Sequence, residues 1–107
     1  MDFVDRLGAH GERPALLLPG GQVVTYVELE QRVTALAVRF GAGRKLVALE
    51  AESSVQAIIG YLAALRGGHA VAMLPPGDRA VMDEFGGAFE PDIEYRPFDG
   101  RWRMVER

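Results

Sequence analysis

The sequence predicts an α/β domain: a mostly parallel sheet built on one βαβ unit, with helices packed on it and β-hairpins near both ends. Three observations predict it. Apolar residues between Thr25 and Gly41 recur at three- and four-residue spacing, the period of a helix with one buried face. Two short apolar runs, Lys45–Glu50 and Ala70–Leu74, flank a second helical stretch within about 30 residues, the length of a βαβ unit. Two short apolar runs surround Pro19-Gly20-Gly21 near one end, and alternating polar and apolar residues surround Asp99-Gly100 near the other, where glycine supplies the positive φ of a tight reversal.

The first seven residues read as a short helix with Phe3, Val4 and Leu7 on one side. Pro14–Leu18 and Gln22–Val24 then form a hairpin around Pro19-Gly20-Gly21. Thr25 and Glu28 have the spacing of a capping box, so a helix starts there. It buries Leu29, Val33, Leu36, Ala37 and Phe40, turns Glu30, Gln31 and Arg39 to the opposite face, and stops near Gly41.

Lys45–Glu50 reads as a strand buried on both faces. Ser53 or Ser54 caps the next helix, whose apolar face comprises Val55, Ile58, Ile59, Leu62 and Leu65, and Gly67-Gly68 ends it. Ala70–Leu74 is the second strand of the unit, parallel to the first and cut off by Pro75-Pro76-Gly77. A further helix runs from Asp78, its cap, to Phe85. Asp92–Tyr95 and Arg101–Met104 close the chain as a second hairpin. A domain of this size buries only about 60–65% of its unfolded surface, so it stands alone with little margin.

Composition narrows the function classes. The 107 residues are 49% hydrophobic and 25% charged, with 12 Lys and Arg against 15 Asp and Glu, a net charge of −3 that lacks the basic excess of a nucleic-acid binder. No apolar run reaches the roughly 20 residues of a membrane span, and Asp2 and Asp5 with no apolar core exclude a secretory signal in the opening residues. The absence of cysteine excludes disulfides, thiolate metal sites and cysteine nucleophiles. A cytoplasmic single domain is expected.

The residues that resemble catalytic signals read better as structure. His10 and His69 are far apart and lack a ligand spacing. Gly41-Ala42-Gly43-Arg44-Lys45 follows a helix and precedes a strand, the reverse of a phosphate-binding glycine loop, and is a connector. Ser53 and Ser54 sit at a helix start without the turn of a hydrolase nucleophile, so they are caps. Asp83 and Glu84 are consecutive and point to different helix faces. Tyr95, Arg96, Phe98, Arg101, Trp102 and Arg103 interleave aromatic and basic groups as a single-strand nucleic-acid surface does, but Asp92, Glu94, Asp99 and Glu106 offset the charge.

Two segments carry a further signal. Val24-Thr25-Tyr26-Val27-Glu28-Leu29 resembles the TYxEL segment found early in adenylate-forming (AMP-binding) enzymes. That superfamily includes acyl-CoA synthetases (fatty-acid–CoA ligases), the adenylation domains of nonribosomal peptide synthetases, and luciferases. Tyr61-Leu62-Ala63-Ala64-Leu65-Arg66-Gly67-Gly68-His69-Ala70-Val71-Ala72-Met73-Leu74-Pro75-Pro76 resembles their next core motif, with departures at His69, Met73 and Pro75-Pro76. The strand at Lys45–Leu49, the helix at Ser54–Gly60, and the opening Phe3–Leu7 and Arg13–Leu16 fall in the same order as in that family, so the likeness covers nearly the whole chain.

The resemblance implies that this is the structural N-terminal segment of a longer enzyme. That enzyme would activate a small-molecule carboxylic acid with ATP to an acyl-adenylate and pass the acyl group to a thiol. ATP, Mg and coenzyme A or a pantetheine are implied for the longer enzyme, and none is expected to bind this segment. The family's phosphate loop, ribose-binding acid and C-terminal lysine have no counterpart here, so no catalytic, cofactor-binding or metal residue is expected and the segment alone is expected to be inactive. Its partner is then the remainder of the enzyme, with no nucleic acid and no membrane span. The alternative is a stand-alone protein-interaction module without catalysis.

Overall fold

A computed structural model describes residues 6–18, 20–52, 54–98 and 101–106. Phe3 and Val4 of the expected first helix, Pro19, Ser53 and the Asp99-Gly100 turn lie outside the described residues. Leu7 opens a single 3₁₀ turn, Leu7–His10, and is fully buried.

Strands β1 (Pro14–Leu17) and β2 (Val23–Thr25) pair antiparallel as a separate hairpin, with an irregularity between Pro14 and Leu16. Gly20 and Gly21 turn the chain at φ +90° and +86°, a region costly for any residue with a Cβ. Helix α1 (Tyr26–Phe40) begins at the expected capping box: the Glu28 N–H donates to Thr25 Oγ1 at 3.2 Å and the Thr25 N–H donates to Glu28 Oε1 at 3.3 Å. Leu29, Val33, Leu36 and Phe40 are buried along one face, and Ala37 packs beside them.

The main sheet has the order β4-β3-β5-β6, from β3 (Leu46–Glu50), β4 (Ala70–Leu74), β5 (Ile93–Phe98) and β6 (Arg101–Glu106). β3 is parallel to β4, with Leu46 opposite Ala70 and Glu50 opposite Leu74, and parallel to β5, with Val47 opposite Ile93. β6 is antiparallel to β5, with Ile93 opposite Glu106 and Phe98 opposite Arg101. The expected α/β class, mostly parallel sheet and terminal hairpins are all present.

Helix α2 (Val55–Arg66) connects β3 to β4, and α3 (Arg79–Phe89) connects β4 to β5. Ser54 caps α2 by accepting from the Ala57 N–H at 3.2 Å. At its other end the Gly67, Gly68 and His69 N–H groups donate to the carbonyls of Ala63, Leu65 and Ala64, with Gly68 at φ +74°. One core lies between α1, α2 and the sheet and contains Phe40, Val47, Leu49, Leu62, Ile93 and Tyr95. A smaller one lies under α3, where Ala48, Leu74 and Met82 meet with Phe85 against them. Full burial of each larger apolar side chain contributes roughly 1.5–3 kcal/mol, so the first core dominates stability.

Three expectations need correction. Ile58 is not a core residue: it is 37% exposed, because α2 turns its small residues, Ala57, Gly60, Ala63 and Ala64, toward the sheet. α3 does not stop at Phe85 but continues to Phe89 through Gly86 and Gly87, ending with Glu90 at φ +48°. Glu30 does not face solvent freely. Its carboxylate takes both guanidinium nitrogens of Arg66, at 2.6 and 2.9 Å, and binds α2 to α1.

Candidate functional site

In open α/β sheets ligands bind beyond the carboxyl ends of parallel strands, where neighbouring strands send their connections to opposite faces. β3 and β4 meet that description: the chain leaves β3 toward α2 on one face and leaves β4 toward α3 on the other. The crevice between Glu50 and Leu74 is therefore the candidate site.

The chain's own groups fill this crevice. Glu50, the last residue of β3, is buried, and its Oε1 accepts the backbone N–H of Gly77 from the loop that follows β4. The Ala51 N–H donates to the Leu74 carbonyl at 2.8 Å, which closes the two strand ends together. Gly77 stands at φ +74°, a conformation that lets the loop bring its N–H over the carboxylate. This acid was not singled out in the sequence, where it reads only as the polar end of a strand. The pairing spans 27 positions, and no local pattern announces it.

Both helix N-termini at this end carry a side-chain cap. Ser54 takes the Ala57 N–H, and Asp78 takes the Val81 N–H at 3.1 Å. A nucleotide phosphate would need free amides and positive charge there. Glu50 and Asp78 place carboxylates at this end, and Arg79, the first residue of α3, a guanidinium. Among the described residues no three His, Cys, Asp or Glu side chains converge as a metal site.

Beside the crevice, on the α2 side, a cleft of about 310 Å³ is lined by Ala57, Ile58, Tyr61, Leu62 and Met73, with Glu52 at its rim. It is apolar, and Met73 is 50% exposed on the outer strand of the sheet. Its titratable groups are the Tyr61 phenol and the Glu52 carboxylate.

The histidines and the aromatic–basic strand pair have structural places. His69 is buried, accepts the Lys45 N–H on Nδ1 at 3.1 Å, and meets Phe40 edge-on with ring centroids 6.1 Å apart. Burial holds its pKa below the ordinary histidine value, and the Lys45 charge acts in the same direction. His10 lies 4.7 Å from the ring of Tyr26, far from His69 in the sequence. Strand alternation separates Tyr95 and Trp102, 5.0 Å apart on the core side, from Arg96 and Phe98 on the other, where Arg96 lies 4.6 Å over the Phe98 ring. The pattern therefore does not form one stacking platform. Asp83 and Glu84 are exposed on α3, as expected of consecutive helix residues. Gly41–Lys45 is a connector, with the Lys45 ammonium donating back to the Phe40 carbonyl at 2.7 Å.

No protein-family model matches this chain, and no curated protein sequence does. Solved structures do. The crystal structure of IdnL1 matches 98% of this chain with a TM-score of 0.75 at 18% identity, and that of apo MatB from Rhodopseudomonas palustris matches 86% with a TM-score of 0.63 at 28% identity. The chain therefore has the fold of the matched part of each of these structures. The chain spans only 27% of the IdnL1 chain and 20% of the MatB chain, so both carry far more polypeptide than is present here. Among the described residues no helix is long and apolar enough to cross a membrane.

Proposed function

We propose that this chain is the structural N-terminal portion of an AMP-dependent acid–thiol ligase. The longer enzyme converts a carboxylic acid and ATP to an acyl-adenylate and pyrophosphate, then passes the acyl group to the thiol of coenzyme A or a carrier-protein pantetheine. One observation carries this reading: nearly all of the chain matches about a quarter of an adenylate-forming enzyme, and its TYxEL-like and Gly67-Gly68 segments form the capped helix and helix stop that the motifs specify.

The residues present shape and join elements rather than react. Glu50 ties the end of β3 to the loop before α3, Arg66 ties α2 to α1, and His69 ties the start of β4 to the loop before β3. ATP–pyrophosphate exchange with a panel of carboxylic acids tests the proposal. Exchange is expected from the longer protein and none from the 107-residue chain. Exchange by the short chain would refute the framework reading, and none from the longer protein would refute the ligase reading.

A second reading, a stand-alone interaction module, draws on the outward apolar groups Leu17, Ile58, Tyr61 and Met73 and the uncharged outer strand β4. The reading frame past Arg107 separates the two. A Ser/Thr/Gly-rich loop with lysine supports the ligase, and a stop codon supports the module.

A further inference from the structure

A second cleft, of about 290 Å³, lies between α1 and α2, away from the strand ends. One helical stripe of α1 supplies Arg32, Leu36 and Arg39, and one stripe of α2 supplies Gln56 and Ile59. Its remaining wall is Tyr95, which reaches up from β5 between the helices. The Tyr95 ring fits there because residue 60 is glycine: a Cβ on Gly60 would stand 2.8 Å from it. Tyr95 is 93% buried by its 7% exposure, yet its phenol lines this cleft, and no described residue hydrogen-bonds its hydroxyl.

The charge in this cleft has one sign. Neither Arg32 nor Arg39 has an ion-pair partner among the described residues, and no carboxylate lines the space. The nearest acid on the helix, Glu28, is held in the capping box of Thr25. Two guanidinium groups one heptad apart, an amide and an open phenol hydroxyl are thus gathered over an apolar floor of Ala35, Leu36 and Ile59. Guanidinium groups pair in a fork with planar oxyanions, and an apolar floor favours a ligand with a hydrocarbon body. The volume is at the small end of ligand pockets, which run about 300–1,000 Å³.

We infer that the α1–α2 cleft binds a small organic carboxylate, its carboxyl group between Arg32 and Arg39 and its apolar body against Leu36 and Ile59. The Tyr95 hydroxyl donates to the same carboxylate. This site is separate from the strand-end crevice and does not depend on the ligase reading.

Titration of the ¹⁵N-labelled 107-residue chain with benzoate, followed by amide shifts, tests the inference. Benzamide serves as the uncharged isostere and inorganic phosphate as the anion without an apolar body. Benzoate is expected to give saturable shifts at residues 32–39 and 56–59, and benzamide and phosphate none. Arg32→Gln with Arg39→Gln, both on the exposed face of α1, should weaken benzoate about tenfold or more. Tyr95→Phe, which keeps the buried ring, should weaken it several-fold. Absent benzoate shifts, equal shifts from benzamide, matching shifts from phosphate, or unchanged affinity in the double arginine variant would each overturn it.

Discussion

Gly60→Ala is a methyl-sized change at the point where α2 touches the sheet, and its cost follows from the geometry. A Cβ at position 60 would lie 2.8 Å from Tyr95 Cδ2, 3.0 Å from Cε2 and 3.1 Å from Leu49 Cδ1. The ring cannot swing aside freely, because the Phe40 edge and the Trp102 ring hold it with centroids 6.0 and 5.0 Å away. Forcing a methyl into a packed core costs about 1–3 kcal/mol. Alanine recovers about 0.8–1 kcal/mol of helix propensity over glycine. The net loss is on the order of 1 kcal/mol, which lowers the melting temperature by about 4–8 °C in a domain of this size. Gly87→Ala provides the opposite case: Gly87 is helical and exposed, and a Cβ there meets nothing within 4 Å. That variant should gain up to about 1 kcal/mol from propensity alone. Paired urea and thermal denaturation of the two variants reads the difference. Equal stabilisation by both substitutions would refute the close approach of α2 to Tyr95.

Two further predictions concern buried polar groups. The folded chain holds the His69 pKa below its unfolded value, so the folded state binds fewer protons. Stability is full above the unfolded value of about 6.5 and falls as pH drops toward the folded value, by at most about 1.4 kcal/mol per pH unit. His69→Asn should flatten that dependence in urea titrations between about pH 7.5 and pH 5, and an unaltered slope would contradict it. Removing the Glu50 carboxylate strands the Gly77 N–H, so Glu50→Ala should cost about 1–3 kcal/mol and Glu50→Gln, which keeps an acceptor, less. Equal denaturation midpoints for the two variants would show that the carboxylate does not hold the loop.

How much was legible in the sequence depended on distance along the chain. The Thr25–Glu28 box and the Gly67-Gly68 stop are local chemistry, fixed within a few residues, and both stand where the sequence places them. The ends of β3 and β4 follow from apolar runs cut by polar residues or proline. Pairings across many residues were not legible. Glu30 reads as a solvent-facing position until Arg66, 36 positions on, arrives from another helix. Glu50 likewise acquires its meaning only when the loop after β4 folds over it. Ile58 misled because helical spacing gives the period of a face but not which flank meets the sheet. The glycine and alanines of α2 allow the closer approach and turn Ile58 outward. α3 passed its expected end because two glycines weaken a helix without breaking its hydrogen bonds, and the Glu90 N–H still donates to the Gly86 carbonyl at 3.1 Å.

The framework proposal expects the strand-end crevice, bridged by Glu50 and Gly77, to take no nucleotide. Adding Mg–ATP to the ¹⁵N-labelled chain and following the amides of residues 51–54 and 77–78 tests it most directly. The account predicts no saturable shift at either loop. A saturating shift at both, abolished by an excess of unlabelled chain, would contradict it.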